Sequence, residues 1–399
     1  MQNTLSQQKY VTFSMQNILI FIMILFFGFT SLRFGMYGIG EVILLLFCIV
    51  QIVGQQNILV SLQKHIFSVF WIMYISVITF GYAVNSFLEI SRQTVSFDYK
   101  AYIVILFLCF TFESLFKRSS FTDLYSLLRF IYFGGLFVIG ILYSLYVQGM
   151  RYLFGLNLSY AGADIFSPFA NDYHQFAYFV APLPFVGLYL LTNEKGIRNK
   201  ICAILGIVLS INIGLATTSS TLVSAWIISA LLFCFLKVGQ FLNRQNNSIS
   251  INIAVFCLFL LIAFFNYEKV TFLINDFFEA DTNGENRLLI WRSAIEAWLH
   301  SPIFGLGPGS YSGTHVFGGF EAHNTFLQIL TQGGIVGGIA YLLLVSKMMK
   351  ATYMNTFILC AMVSLIMYGL GINDLRRTVL WFYYILFYFL CLNSRGVKS

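Results

Sequence analysis

Residues 66–84 read IFSVFWIMYISVITFGYAV, without a charge anywhere along them. At about 1.5 Å of rise per residue, a helix of this length covers the ~30 Å hydrocarbon layer of a bilayer. Lipid offers no water to an unpaired amide or carbonyl, so such a run takes the form that pairs them internally. Comparable apolar runs recur through the chain, at roughly 15 to 32, 38 to 54, 66 to 84, 101 to 116, 127 to 148, 174 to 192, 201 to 216, 221 to 237, 251 to 266, 324 to 346, 354 to 371 and 378 to 393. The fold expected is all-α: a polytopic membrane protein of about 12 transmembrane helices, read as one transmembrane domain over 1–399.

Composition agrees. Of 399 residues 58% are hydrophobic and only 10% charged, and the mean hydropathy is +0.80. A soluble core of this length has no interior large enough to hide that much apolar surface. The first run has no small-residue cleavage pattern and leads straight into further spans, so it reads as retained rather than as a signal peptide. All seven cysteines fall in or beside apolar runs, without the spacing of a zinc site or a disulfide framework. They read as packing residues, and no metal or other cofactor is expected.

Basic residues orient the chain. With an even number of spans, Lys117, Arg118, Lys195, Arg198, Lys200, Lys347, Lys350 and Arg395 fall on the cytoplasmic side, while Asp276, Glu279, Asp281, Glu285, Glu296 and Glu321 fall outside. The net charge of +7 is then a cytoplasmic surface effect and no sign of a nucleic-acid partner; the partners expected are membrane lipids and a lipid-borne substrate. Two long outer loops remain, about 149–173 and 267–323. Connections of that length in a compact protein are usually functional.

The second loop carries its own structure. Thr282 and Glu285 form a capping box, and Leu288, Trp291, Ile295, Trp298 and Leu299 follow at helical spacing up to Ser301-Pro302. A helix over 283–300 lying at the membrane surface is expected, its tryptophans in the headgroup zone. Arg287 and Arg292 stand five positions apart, about 140° around that axis, so they serve different contacts. The glycine-rich turn from Gly305 to Gly313 reads either as a nest of inward amides for an anion or as a plain flexible loop. His323 and Asn324 then open a span whose Gly333, Gly334, Gly337 and Gly338 make a small-residue face for close helix packing.

Other polar residues have two readings. Asn171, Asp172 and His174 either hydrogen-bond an acceptor sugar, with Tyr173 and Phe176 stacking on it, or merely cap a helix. Glu41 and Glu113 read as interfacial, His300 and His315 as loop or helix-end residues, and His65 as a cytoplasmic surface residue beside Lys64.

The segment NRLLIWRSAIEAWLHSPIFGLGPGSYSGTHVFGGFEAHNTFLQILTQGGIVGGIAYLLL resembles the signature region of the O-antigen ligase and polysaccharide polymerase superfamily. Arg287, Trp291, the PIFGLGPG turn, the His323-Asn324 pair and the glycine-rich helix carry the likeness, in that order. The resemblance implies a GT-C-like architecture and a metal-independent glycosyltransferase on the outer face of the bacterial plasma (inner) membrane. Its donor would be a glycan on undecaprenyl diphosphate, with a chain-length regulator and a flippase as partners. Arg287 matches an arginine that binds the diphosphate, and His323 a histidine assigned to acceptor activation. Physically, a guanidinium fork suits phosphate oxygens, and a neutral imidazole can accept a hydroxyl proton. Asn324, Trp291, Asn171 and His174 are further candidates for substrate contact.

One departure bears on the branch. Ligases of this superfamily typically carry a Ser-Arg pair at an outer turn, where this chain reads Ala216-Thr217-Thr218-Ser219-Ser220-Thr221. Arg292, Arg376 and Arg377 are the candidates to replace that charge. A polymerase joining lipid-linked repeat units into O-antigen, capsule or exopolysaccharide is the leading reading. A ligase delivering glycan to lipid A core or protein is the sister reading. A flippase or small-solute transporter would share the span count, but transporters concentrate charge at mid-membrane and use broken helices, whereas these polar residues lie outside.

Overall fold

The computed structural model describes residues 15–35, 37–53, 65–87, 94–160, 163–242, 267–269, 271, 287–312 and 319–396. The helices in chain order are α1 (Met15–Gly28), α2 (Ile39–Val53), α3 (Ile66–Val84), α4 (Val95–Arg118), α5 (Phe121–Val147), α6 (Tyr173–Val180), α7 (Leu183–Asn193), α8 (Ile197–Ala216), α9 (Ser220–Leu242), α10 (Arg287–Leu299), α11 (Thr325–Thr352), α12 (Thr356–Gly369) and α13 (Thr378–Gly396). Two short hairpins, Arg33–Phe34 with Tyr37–Gly38 and Tyr152–Leu153 with Leu156–Asn157, are the strands. Every expected apolar run that falls on described residues is helical. The run 251–266 lies outside them, as do Thr282, Glu285, the other loop acids at 276–281, Gly313 and His315. Seven segments among the described residues are long and apolar enough to cross a membrane. The protein is a multi-pass, mostly helical membrane protein.

The centre of the bundle is α13. Val379, Leu380, Trp381, Phe382, Tyr383, Tyr384, Ile385, Leu386 and Phe387 are all buried, so this helix meets protein on every side, against α4, α5, α11 and α12. A helix apolar all round belongs at a core, provided its ring polar atoms find partners. Trp381 donates its indole N–H to the Leu375 carbonyl at 3.1 Å and Tyr383 its hydroxyl to the Phe179 carbonyl at 3.4 Å. Outward positions such as Leu46, Phe137, Leu205, Leu231, Phe235 and Leu343 are exposed, as lipid contact requires.

Helix ends follow the capping chemistry of their residues. Ser120 and Asp123 form a reciprocal capping box for α5, and Asp172, Asn324 and Asn355 accept amides at the starts of α6, α11 and α12. Pro182 separates α6 from α7. The Ala181 carbonyl at that break accepts from Trp226 Nε1 at 2.8 Å and from Ser364 at 3.1 Å, the repair that a broken span needs in lipid.

Three expectations change. Glu113 is not interfacial: it is fully buried and accepts from the amides of Phe67 and Ser68, at 3.0 and 2.8 Å, capping α3 from α4. His65 is not at the surface but buried, 3.8 Å from Glu113. The buried side of α10 is Ile290, Ala294 and Ala297, at i, i+4 and i+7, while Ile295 and Leu299 face outward.

The third concerns the glycines of α11. Gly333 and Gly337 do face α3, against Tyr74, but Gly334 has φ +61 and breaks the helix. The turn after Pro302 fills the break: Pro302 and Ile303 carbonyls accept the amides of Ile335 and Val336, while Leu306 and Gly307 donate to the carbonyls of Thr331 and Gln332. A side chain at Gly334 would overlap the Ile303 carbonyl. Backbone thus enters the bundle only where a broken helix can pair it.

Candidate functional site

Connections from both halves of the chain meet at one end of the bundle, and buried hydrogen bonds lock them. Asp98, in the first turn of α4, is the hub. Its Oδ2 accepts from the Gly309 amide at 2.9 Å and from Gln332 Nε2 at 2.9 Å; its Oδ1 accepts from Arg376 Nη1 at 2.9 Å. Gln332 Oε1 in turn accepts from the hydroxyls of Tyr74, at 3.1 Å, and Tyr102, at 2.7 Å. Gln328 and Gln332 both donate to the Gly309 carbonyl, at 2.9 and 2.8 Å. The amides of Gly305, Leu306, Gly307 and Gly309 are thus taken by the protein's own acceptors. From Gly305 to Gly309 the stretch is therefore a plug and not a phosphate cradle, while Gly313 lies outside the described residues.

That plug and its neighbours hold His323. The residue sits half-buried with φ +46, a backbone region that few side chains occupy unless their surroundings enforce it. Each flanking residue is tied down. Glu321 pairs with Arg376 Nη2 and accepts from Asn373 Nδ2 at 2.9 Å. Ala322 donates its amide to Gln328 Oε1 at 2.9 Å. Asn324 accepts from the Leu327 amide at 3.1 Å and donates to the Leu370 carbonyl at 2.8 Å, which makes it a cap on α11 and a strap to the 370–377 connection.

His174 stands across from this segment, at the start of α6. Its Nδ1 is 3.1 Å from the Tyr368 hydroxyl, which is 3.3 Å from Ser219 in the α8–α9 turn. Asp172, Arg287, Arg377 and His323 all lie within electrostatic reach of His174. Arg287 from α10, Arg377 from the 370–377 connection and His323 from the start of α11 thus all act on one residue, although they are far apart in sequence. Arg377 Nη2 is 3.7 Å from Asp172 Oδ2.

The other candidates are placed as follows. Arg292 is exposed and bridges its own helix to Glu296 at 3.1 Å, so it stays outside the cluster. Arg376 is committed to Asp98 and Glu321 and lies over the Phe97 ring at 4.9 Å; burial lowers its pKa, with Asp98 acting against that. Trp291 is half-buried on α10, its indole N–H enclosed in the protein. Asn171 is tied to Thr30 and Ser31 of the first connection, at 3.0 and 3.1 Å. Phe176 is fully buried against Phe166 and cannot stack on a sugar, whereas Tyr173 remains partly open beside His174. Among the described residues no three His, Cys, Asp or Glu side chains gather as a metal-binding set.

Asp98, Gln328, Gln332, Glu321 and Tyr368 were not foreseen as part of the site. A lone carboxylate at the mouth of an apolar run was the available signal for Asp98, because an ionisable group there needs a partner.

Residues 204–342 match the family model described as O-Antigen ligase. The matched stretch runs from α8 through α9 and α10, the plug and His323 into α11, so it bears out the resemblance to the O-antigen ligase and polysaccharide polymerase superfamily. The match covers about a third of the chain and shows what that stretch is similar to. Among curated proteins no significant match to the chain is found.

Proposed function

We propose that the protein is a polysaccharide polymerase that transfers a glycan from undecaprenyl diphosphate onto a lipid-linked repeat unit at the outer face of the plasma membrane, within a bundle of about twelve spans. The observation that carries this reading is the action of Arg287, Arg377 and His323 on His174, with Arg287 and His323 inside the stretch that matches the O-Antigen ligase family model. In the reaction a sugar hydroxyl attacks the anomeric carbon. The carbon–oxygen bond to phosphate breaks, its electron pair stays with the diphosphate, and the hydroxyl proton passes to His323. Arg287 and Arg377 stabilise the charge that develops on the leaving group, an effect strongest in a preorganised, water-poor site. No metal is needed in this scheme, because the guanidinium groups supply the positive charge.

Arg377 stands in for the arginine missing from the α8–α9 turn. Of the three candidates it alone is neither exposed beside its own helix, like Arg292, nor held by two carboxylates, like Arg376. Tyr368 and Ser219 connect that turn to His174 by hydroxyl contacts instead.

The ligase is kept as a second reading because the matching family model is described by that activity. A deletion strain separates the two. One repeat unit left on the carrier or core marks a polymerase, and long polymer stranded on the carrier marks a ligase. Lipid-linked units trapped in the cytoplasm would mark a flippase and reject both.

A further inference from the structure

Two short hairpins stand at the same end of the bundle as His174. The one at 33–38 places Phe34 directly opposite Tyr37, so both rings leave on one face, and both are exposed. The one at 152–157 turns through Phe154 and Gly155, which have φ +50 and φ +78. Phe154 is 93% exposed, and Met150 and Tyr152 beside it are exposed as well. Two positive φ values in a two-residue loop suit the twist of a hairpin, but that turn favours Asn, Asp or Gly at the first of them. A bulky ring there is a backbone outlier, and at this exposure it packs on almost nothing in the chain. Neither turn chemistry nor the core accounts for Phe154.

Both hairpins are firmly held. Arg151 donates through Nη1 to the Tyr146 carbonyl at 2.9 Å, lies 4.5 Å from the centre of the Tyr146 ring and pairs with Asp164. Leu153, on the other face of the strand from Tyr152, packs against the core. Phe169 then joins the two hairpins: its amide donates to the Asn157 carbonyl at 2.8 Å, and its carbonyl accepts the Ser31 amide at 2.7 Å. Asn171 ties the same connection to Thr30 at 3.0 Å, one residue before Asp172 caps α6. The exposed rings are thus fixed in position relative to His174.

The neighbouring surface tells what covers them. α5 is a span by length and composition, and its outward Phe137, Ile141 and Val147 are exposed. Val147 is the last residue of that helix, and Met150, Tyr152 and Phe154 carry the same apolar surface past its end. Beyond the hydrocarbon layer aromatic rings suit the headgroup zone, where one edge is dry and the other wet. A protein partner fits less well, because a stable interface uses about 20–30 residues a side. The exposed apolar side chains on these two hairpins are Phe34, Tyr37, Met150, Tyr152 and Phe154. We propose that the two hairpins form a membrane-interface rim, their rings seated in the headgroup zone of the leaflet at this end of the bundle. The rim sets the depth of the His174 end against that leaflet, and it does so whether or not the protein is a polymerase.

The test is a depth measurement on the full chain in lipid nanodiscs. A fluorescent amino acid such as dansylalanine replaces Phe34 or Phe154, one at a time, by stop-codon suppression, which leaves the native cysteines in place. Both side chains are exposed, so the replacement removes little packing. Nitroxides placed high or low on the lipid acyl chain quench from the membrane side, and iodide quenches from water. Phe137, lipid-facing on α5, and Lys195, exposed in the α7–α8 connection, serve as reference positions. At both hairpins the high nitroxide should quench more than the low one, placing the probe about 5–10 Å into the boundary between headgroups and acyl chains. Iodide quenching should fall well below its value at Lys195. Iodide quenching equal to that at Lys195, at either hairpin, overturns the rim. A probe that neither quencher reaches also overturns it, in favour of a second copy or another protein seated on the hairpins.

Discussion

Gly309 donates its backbone amide to Asp98 Oδ2 at 2.9 Å, across 211 residues of sequence. This bond joins the plug of the signature segment to the first turn of α4, and the other oxygen of the same carboxylate holds Arg376. Arg376 in turn fixes Glu321, two residues before His323. The placement of the imidazole is thus set from α4, which contributes nothing to the proposed chemistry.

Removing that hub leaves a buried guanidinium with one partner fewer and an orphaned amide. Breaking a buried pair from one side costs about 3–5 kcal/mol, so Asp98→Ala is expected to lower the folded yield sharply, and activity with it. Asp98→Asn keeps the shape but not the charge, and should lose less. Equal detergent melting temperatures for wild type and Asp98→Ala would refute the hub.

Among the arginines, Arg377→Ala and Arg287→Ala are expected to abolish chain extension with the protein still in the membrane. Arg287→Lys should be nearly as harmful as Arg287→Ala, since a point charge cannot reproduce the two-pronged fork. Arg292→Ala removes only an exposed bridge within one helix, worth about 0.3–0.5 kcal/mol, and should leave the glycan ladder unchanged. A normal ladder from Arg377→Ala would remove it from the site.

The same logic applies to His323. His323→Ala should stop extension without loss of the protein from the membrane, and an intact ladder on a gel would end its role as base. Asn324→Ala reads differently, because Asn324 caps α11 and straps it to Leu370. Losing a cap costs about 1 kcal/mol, and the expected result is a fall in both stability and rate.

Helix positions were legible in the sequence because a span announces itself by local composition: all the apolar runs on described residues are helices, and His323 does stand at the mouth of one. What composition cannot encode is pairing across the chain. His65 read as a surface residue from its neighbour Lys64, yet Glu113 on another helix draws it inward. Gly333, Gly334, Gly337 and Gly338 read as a smooth packing face. The positive φ of Gly334 exists only because Pro302 and Ile303 supply carbonyls to the freed amides, and those lie some thirty residues away in a separate connection. The glycine-rich turn stays open between a nest and a plain loop on composition for the same reason: the amides of Gly305, Leu306, Gly307 and Gly309 are taken by Ser301, α11 and α4.

Gly334 gives a direct check on that insertion. A methyl group there meets the Ile303 carbonyl, and the backbone at φ +61 disfavours any side chain. Gly334→Ala is expected to destabilise by more than the ~1 kcal/mol of an ordinary glycine effect, read as a lower melting temperature in detergent. Gly337→Ala meets the Tyr74 ring and the Ile329 side chain at 3.3 Å or more and should be milder. The reverse ranking would argue against the break.

Asp374 predicts a pH dependence. It lies in the 370–377 connection, fully buried, with Oδ1 accepting from Thr325 at 2.6 Å. Burial pushes its carboxyl from the usual carboxylate range up to about 7, more than the Thr325 hydrogen bond and the nearby Arg377 pull it down. The fold therefore favours the protonated acid. The stability this contributes is fully present below the unfolded value near 3.8 and is lost as the pH rises through about 7. The melting temperature of wild type should fall as the pH rises from about 4 to about 7 and level off above that, since a pKa difference between folded and unfolded states is a stability difference. Asp374→Asn, which carries no titrating group, should flatten that drop while keeping an acceptor for Thr325. A wild-type curve without a slope across this range would show that Asp374 is ionised in the fold and that Arg377 outweighs burial.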